Sequence, residues 1–443
     1  MTQADLIVIG AGPGGYEVAA SEAAAGRSVI LIERDLPGGT CLNRGCIPTK
    51  CLCACAETAL TVASAAEMGI DVTSFTLHYD RAAARMRAIV DGLRDDVRAL
   101  TSACRYVQGE ASFTPEGHVQ VDDDIFTAPR IIIATGSRPA SLPVPGADLA
   151  MTSDEFLALN RLPASLVVIG GGVIGLEMAS IAAAFGTEVT VVEYCKEVLP
   201  PFDRDIAKRL RTLLSRRGIK FVTGAAVTAV SVDENGDKTV TYAGKKGDVT
   251  ITASEVLMAV GRRPVVPAGL PEAGIDVDGR GFIVTDDTMQ TTRAGVYAVG
   301  DCNGRLLLAH AASAQAEVAT GHDVDLSAVP SAVFTVPEAA MVGLTAEECE
   351  RRGMPFAEAK SLFAANGKAR ANGHTDGLVK VIYDPASLRI LGCHIVGPHA
   401  SDLITEAVTA VSLSLTGLQA GTRLVHGHPT LSEVVSSAFR KIH

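Results

Sequence analysis

Two cysteines, Cys41 and Cys46, stand five residues apart in the run Gly38-Gly-Thr-Cys41-Leu-Asn-Arg-Gly-Cys46-Ile-Pro-Thr-Lys50. A pair of thiols can exchange reversibly with a disulfide, which is two-electron chemistry. A regular helix would hold these two Cα atoms roughly 8–9 Å apart, beyond the ~7 Å that a disulfide can span. The pair therefore needs an irregular turn, and Gly45 has the backbone freedom for one. Pro48 suits the first turn of a following helix, where its missing N–H leaves no bond unmade. Cys46 then falls at the helix N-terminus, whose dipole favours a thiolate. Cys41 lies upstream and gains less from it. The asymmetry suits a redox-active pair; a structural disulfide and two unrelated buried thiols are the readings that spacing alone leaves open.

The elements around this pair read as two copies of one unit. The first runs Leu6-Ile-Val-Ile-Gly10-Ala-Gly12-Pro-Gly14-Gly15, an alanine-rich helix, then Ser28-Val-Ile-Leu-Ile-Glu33. The second runs Leu166-Val-Val-Ile-Gly170-Gly-Gly172-Val173-Ile174-Gly175, another alanine-rich helix, then Glu188-Val-Thr-Val-Val-Glu193. Each is strand, G-x-G-x-x-G, helix, strand and acid, with the acid at the same distance from the first glycine. Two glycines let the backbone turn and approach a pyrophosphate, and the third lets helix pack on strand. The helix N-terminus takes the phosphate charge, and the carboxylate suits an adenosine ribose. Two such units imply two dinucleotides. Glu193, with no basic pair after it, favours a free 2′-hydroxyl and hence NAD.

Further strand-and-glycine turns occur at Arg130-Ile-Ile-Ile-Ala-Thr135-Gly136-Ser137, at Val256-Leu-Met-Ala-Val-Gly261, and at Gly295-Val-Tyr-Ala-Val-Gly300-Asp301. Asp301 suits a helix cap or a sugar hydroxyl, the cap being the simpler role. The Pro139–Pro145 stretch reads as a crossing between domains. From about Val329 the pattern changes: 331–336 and 377–396 suggest an antiparallel sheet, and an apolar helix from Ala400 to about Leu415 covers it. The chain closes on His426-Gly-His428-Pro-Thr-Leu-Ser-Glu433. There His428 and Glu433 form either a surface loop with a helix-entry acid, or an imidazole oriented by a carboxylate.

Composition bounds the rest. The 443 residues suffice for about three domains, and 47% hydrophobic with 20% charged residues is globular. A net charge of −11 argues against a nucleic-acid partner. There is no run of 18 apolar residues and no leader-like segment before the first strand, so neither a membrane span nor a signal peptide is expected. Ten cysteines suggest a reducing, cytoplasmic compartment. Cys51, Cys53 and Cys55 are spaced for core packing, since alternate helical positions point to different faces. No metal site is expected.

Together these motifs resemble the flavin-dependent pyridine nucleotide–disulfide oxidoreductases, in the family's order and across essentially the whole chain. The resemblance implies an α/β fold: two Rossmann-like dinucleotide-binding domains and a C-terminal α+β dimerisation domain. Its division would be FAD-binding 1–145, NAD-binding 146–262, the second FAD-binding or central part 263–328, and interface 329–443. Cys41 would exchange with a dithiol substrate and Cys46 would be the thiolate against the flavin. Lys50 would lie near the flavin, paired with Glu177. Gly10, Gly12, Gly14, Gly15, Glu33, Thr40, Lys50, Ala111, Thr135, Gly136, Ser137, Asp301, Leu307, Leu308, Ala309 and His310 would hold FAD. Gly170, Gly172, Val173, Ile174, Gly175, Glu193 and Gly261 would hold NAD. His428 would be the acid–base catalyst, oriented by Glu433 and reaching the disulfide of the other subunit of a homodimer. Val173, where relatives acting on glutathione or mercury usually carry tyrosine, resembles the lipoamide branch, as do Leu-Ala-His310 and the closing histidine segment. That branch implies NAD-dependent oxidation of dihydrolipoamide, with lipoyl domains of 2-oxoacid dehydrogenase or glycine cleavage complexes as partners. Gly427, where alanine is frequent, and the Cys51/Cys53/Cys55 cluster depart from common family forms without touching these roles.

Overall fold

The computed structural model describes residues 1–443, packed as two compact units. The first comprises Met1–Cys51, Ala83–Ala140 and Arg262–Leu326. Its centre is a five-stranded parallel sheet in the order Val296–Ala298, Arg130–Ile133, Leu6–Ile9, Val29–Glu33, Arg105–Gln108. Apart from Arg130 and Glu33 at their ends, the middle strands are apolar, because helices and loops cover both faces. Ile7 and Ile9 face one core, and Leu6 and Val8 face another. The helix Pro13–Ala24 packs against the helix Ala309–Thr320 in the second of these cores.

The second unit comprises Leu52–Ala82, Ser141–Gly261 and Ser327–His443. It contains a four-stranded parallel sheet, Lys220–Thr223, Glu188–Glu193, Ser165–Ile169 and Glu255–Met258. A three-stranded antiparallel sheet over Val227–Ala253 accompanies it. The C-terminal part is a five-stranded antiparallel sheet in the order Ser331–Val333, Glu338–Gly343, Ile390–Gly397, Leu378–Tyr383, Ala357–Leu362. The helices Ala400–Ser412 and Glu433–Phe439 close one core with it, through Ile404, Ala407, Val434 and Phe439. The first of these helices stops three residues short of the expected Leu415, and Ser414 takes a left-handed backbone in the turn that follows.

The helical stretch Gly39–Ala63 is the one segment long and apolar enough, by length and composition alone, to cross a membrane. It is not continuous: it breaks at Gly45, between the helices Gly39–Arg44 and Cys46–Ala63.

Candidate active site

The break at Gly45 is what brings the two cysteines together. A Cβ there would sit 2.9 Å from Thr40 O and 3.3 Å from Cys41 Cα, so only glycine lets the chain fold back this tightly. The carbonyl of Gly45 accepts from the Thr49 amide (3.1 Å) and hydroxyl (2.6 Å), which starts the second helix. Asn43 steadies the turn, donating to the carbonyls of Pro37 (3.0 Å) and Gly39 (2.9 Å) while accepting from Arg94 Nε (2.9 Å). Cys46 is the first residue of its helix, and Lys50 lies one turn further on. Both cysteines are half-buried thiols. The proton of Cys41 is held well above the ordinary thiol range, first by its hydrogen bond to Cys46 Sγ and then by burial, while the Cys46 amide and Lys50 pull the other way. Cys41 thus keeps its proton, and Cys46 stands at a helix N-terminus, where a thiolate is favoured.

The two glycine loops are built alike. A Cβ at Gly15 would fall 1.8 Å from Gly10 O, and one at Gly175 would fall 2.0 Å from Gly170 O. The helices beginning at Pro13 and Val173 carry no side-chain cap, so their first amides are open to a ligand. At Gly172 a Cβ would meet nothing within 4 Å, and at Gly12 only Gly39 Cα at 3.9 Å. The terminal acids do work that the spacing did not disclose. Glu33 accepts from the amides of Ala11 (2.7 Å) and Asp35 (2.8 Å), and Glu193 from those of Gly171 (2.5 Å) and Cys195 (2.6 Å). Each carboxylate thereby locks its glycine loop to the end of the second strand. Uncapped amides, room above the middle glycine and a fixed carboxylate suit the pyrophosphate and ribose of a dinucleotide, twice.

Asp301 does not cap a helix. Its carboxylate accepts from the Ser137 hydroxyl and lies 3.8 Å from Arg262 Nε. Arg262 also donates to Ser137 Oγ (2.6 Å) and Ser137 O (2.8 Å). Burial raises the Asp301 pKa, and the hydrogen bond from Ser137 and the charge of Arg262 only partly offset it. Arg262 was missed: its Gly-Arg-Arg-Pro turn was legible, but its reach back to Ser137 depends on the pairing of Arg262–Pro264 with Ser137–Pro139. Thr135 Oγ1 donates to Val265 O (2.5 Å), tying the same two turns together. Ala111 is buried, Gly136 has a left-handed backbone, and Leu307 to His310 lead into the helix Ala309–Thr320.

In the second unit, Val173 and Ile174 open the helix after the glycine loop, and Gly261 is an exposed left-handed turn. Glu177 is buried on that helix and accepts from the Phe334 amide at 2.9 Å. His428 Nδ1 lies 2.9 Å from Glu433 Oε1, while Glu433 Oε2 accepts from the Thr430 amide at 2.9 Å. The hydrogen bond from His428, and next that from Thr430, hold Glu433 below the usual carboxylate range. An ionised carboxylate only accepts, so Nδ1 carries the proton and Nε2 is the basic nitrogen. The imidazole is 81% exposed in the single chain. Cys53 is buried as expected and Cys51 and Cys55 are half-buried; no group of three metal-ligating side chains occurs anywhere.

Comparison with known proteins agrees with this construction. Residues 4–316 match the family model of pyridine nucleotide-disulphide oxidoreductases, and residues 329–439 match the dimerisation domain of the same family. The chain belongs to that family: it is an FAD- and NAD-dependent oxidoreductase and a homodimer. Among its relatives is a dihydrolipoyl dehydrogenase of Bacillus subtilis, 37% identical over 99% of this chain and 97% of that protein. One of Chlamydia pneumoniae is 39% identical over 98% and 96%. Among solved structures, the HOCl-induced flavoprotein disulfide reductase RclA from Escherichia coli superposes with a TM-score of 0.87 at 28% identity, over 99% of this chain and 100% of that one.

Proposed function

We propose that the protein is a dihydrolipoamide dehydrogenase, oxidising protein-bound dihydrolipoamide to lipoamide with reduction of NAD. The observation that carries the reading is the cysteine turn. Two hydrogen-bonded thiols stand at the head of a helix, with the proton retained on Cys41, in a chain that also builds two dinucleotide cradles. The curated relatives support the choice of substrate. Residues 1–145 and 263–328 are proposed to hold FAD, 146–262 NAD, and 329–443 the dimer interface.

In the resting enzyme Cys41 and Cys46 are joined as a disulfide. Nε2 of the partner subunit's His428 takes a proton from one substrate thiol, and the thiolate attacks Cys41 Sγ. The Cys41–Cys46 bond breaks and Cys46 leaves as the anion that its helix terminus stabilises. The second substrate thiol then gives up its proton and attacks the first substrate sulfur, closing the cyclic disulfide of lipoamide and displacing Cys41, which takes up that proton. Glu433 keeps the imidazole in the tautomer with Nε2 basic. FAD bound in the first cradle would supply acceptance of the electron pair from the reduced cysteine pair and hydride transfer to NAD. Glu33, Asp301 and Ser137 are proposed to hold the first cofactor, and Glu193, Gly172 and Gly175 the second.

Lipoyl domains of a 2-oxoacid dehydrogenase or glycine cleavage complex are the proposed partners, and the cytoplasm the proposed compartment. The test is NADH formation by the purified protein with dihydrolipoamide, beside NADP and oxidised glutathione. Rapid NADH formation with dihydrolipoamide alone is expected. Silence there, with turnover of another disulfide, would transfer the site to a different substrate.

A further inference from the structure

From Thr422 to Pro429 the chain is exposed except at one residue, His426. Its side chain is 12% exposed, while Val425 beside it is 97% exposed. His426 Nε2 lies 2.8 Å from Oε1 of Glu406, on the helix Ala400–Ser412. The carboxylate accepts, so Nε2 carries the proton, and the other nitrogen, Nδ1, is buried without a partner. His426 therefore offers no accessible base. Its ring is an anchor, held the opposite way round from that of His428, two residues on.

The downstream half of the loop has its own supports. Asn366 Nδ2 donates to Thr430 O (3.0 Å), Thr430 Oγ1 donates to Gly427 O (2.8 Å), and Glu433 holds both His428 and the Thr430 amide. The upstream half, from Arg423 to His426, is tied to the domain through Glu406. Two carboxylates from two different helices thus span the loop, one gripping each histidine. We propose that Glu406 is a positioning residue for the reaction: by clamping His426 it fixes where His428 Nε2 stands when the loop meets the partner subunit. This rests on the reading of His428 as the acid–base group.

Glu406→Ala, Glu406→Gln and His428→Gln are compared with wild type in three measurements. These are NAD reduction by dihydrolipoamide, electron transfer from NADH to ferricyanide, and thermal melting. Glu406→Ala is expected to lower kcat with dihydrolipoamide roughly 10–100-fold, the scale of a displacement of about 1 Å at a reacting group. Ferricyanide reduction and KM for NAD are expected to stay at wild-type values, with only a small fall in melting temperature from the hydrogen bond lost at His426. Glu406→Gln keeps an acceptor for the Nε2 proton and is expected within about fivefold of wild type, since a neutral hydrogen bond retains most of the geometry. A wild-type kcat in Glu406→Ala, with His428→Gln inactive, would overturn the clamp alone. So would a parallel fall of both activities and of melting temperature, which is what a merely structural role produces. Full turnover in His428→Gln would overturn the acid–base reading, and the role of Glu406 with it.

Discussion

Gly175 brings a helix against the strand that feeds the second glycine loop, and alanine there tests whether that closeness binds the nucleotide. An added Cβ would stand 2.0 Å from Gly170 O and 3.2 Å from both Gly170 C and Val168 Cγ1. A carbon needs more than 3 Å from a carbonyl oxygen, so the turn must open by over 1 Å. The atom in the way is backbone and cannot rotate aside. Overpacking of this kind costs typically 1–3 kcal/mol, and with backbone as the obstacle the upper end applies. If the free protein relieves the clash by opening the loop, nucleotide binding has to close it again, and about 3 kcal/mol is roughly a 10²-fold loss of affinity.

The assay is KM for NAD in dihydrolipoamide oxidation, with NADH binding followed independently by fluorescence. Flavin absorbance should be unchanged, because the first glycine loop is untouched. Gly172→Ala is the control with opposite logic. Its Cβ meets no protein atom within 4 Å, so the chain should fold and melt like wild type, and weaker NAD binding would then report contact with the ligand itself. Gly15→Ala, with a Cβ 1.8 Å from Gly10 O, should yield protein depleted of flavin. NAD affinity within threefold of wild type in Gly175→Ala would refute the reasoning.

Cys46→Ser should abolish dithiol oxidation while electron transfer from NADH to an artificial acceptor persists; retained dithiol turnover would contradict its role. His428→Gln should lower dithiol turnover by orders of magnitude with flavin still bound, as steady-state kinetics would show. Lys380 is 3% exposed and lies 2.9 Å from Asp203, 3.1 Å from Asp205 and 2.8 Å from Glu358. Removing one partner of a buried ion cluster costs roughly 3–5 kcal/mol, so Lys380→Met should unfold at distinctly lower urea concentration, and a loss under about 1 kcal/mol would speak against the cluster. The same cluster sets a pH dependence. Asp205 is held below its ordinary pKa, chiefly by a hydrogen bond from Lys360 and further by Lys380. Its contribution is complete above the unfolded value near pH 4 and is lost as pH falls through the folded value, so the acid side of the wild-type stability profile should be steeper than that of Lys380→Met.

What could be read from the chain in advance was what neighbours in sequence determine. Gly45 and Pro48 disclosed an irregular turn leading into a helix because steric freedom and a missing N–H act within one turn, and that turn is where the cysteines meet. The glycine loops were legible for the same reason: strand, turn, helix and acid follow one another without an intervening fold. The contacts that could not be read join residues which only the folded chain brings together. Arg262 reaches Ser137 across 125 positions and Glu406 reaches His426 across 20. No periodicity links such pairs. The partners of Lys380 are of the same kind, coming from a helix entry and a neighbouring strand.

The acids at the strand ends show why a correct motif still hid part of its mechanism. Spacing identified Glu33 and Glu193 as groups for a ribose, which treats each carboxylate as waiting for a ligand. In the folded chain each already accepts one backbone amide from the glycine loop that precedes it and one from two residues further on. A carboxylate offers about four lone-pair sites, so two bonds to the backbone leave capacity for a sugar hydroxyl. The same side chain therefore shapes the cradle before the ligand arrives. Replacing it by an amide would disturb the loop as well as the ribose contact, because an amide nitrogen cannot accept from Ala11 or Gly171. Loss of nucleotide binding in such a variant is thus no measure of the ribose bond. The glycine substitutions separate loop geometry from ligand contact, because Gly175 strains the protein and Gly172 does not.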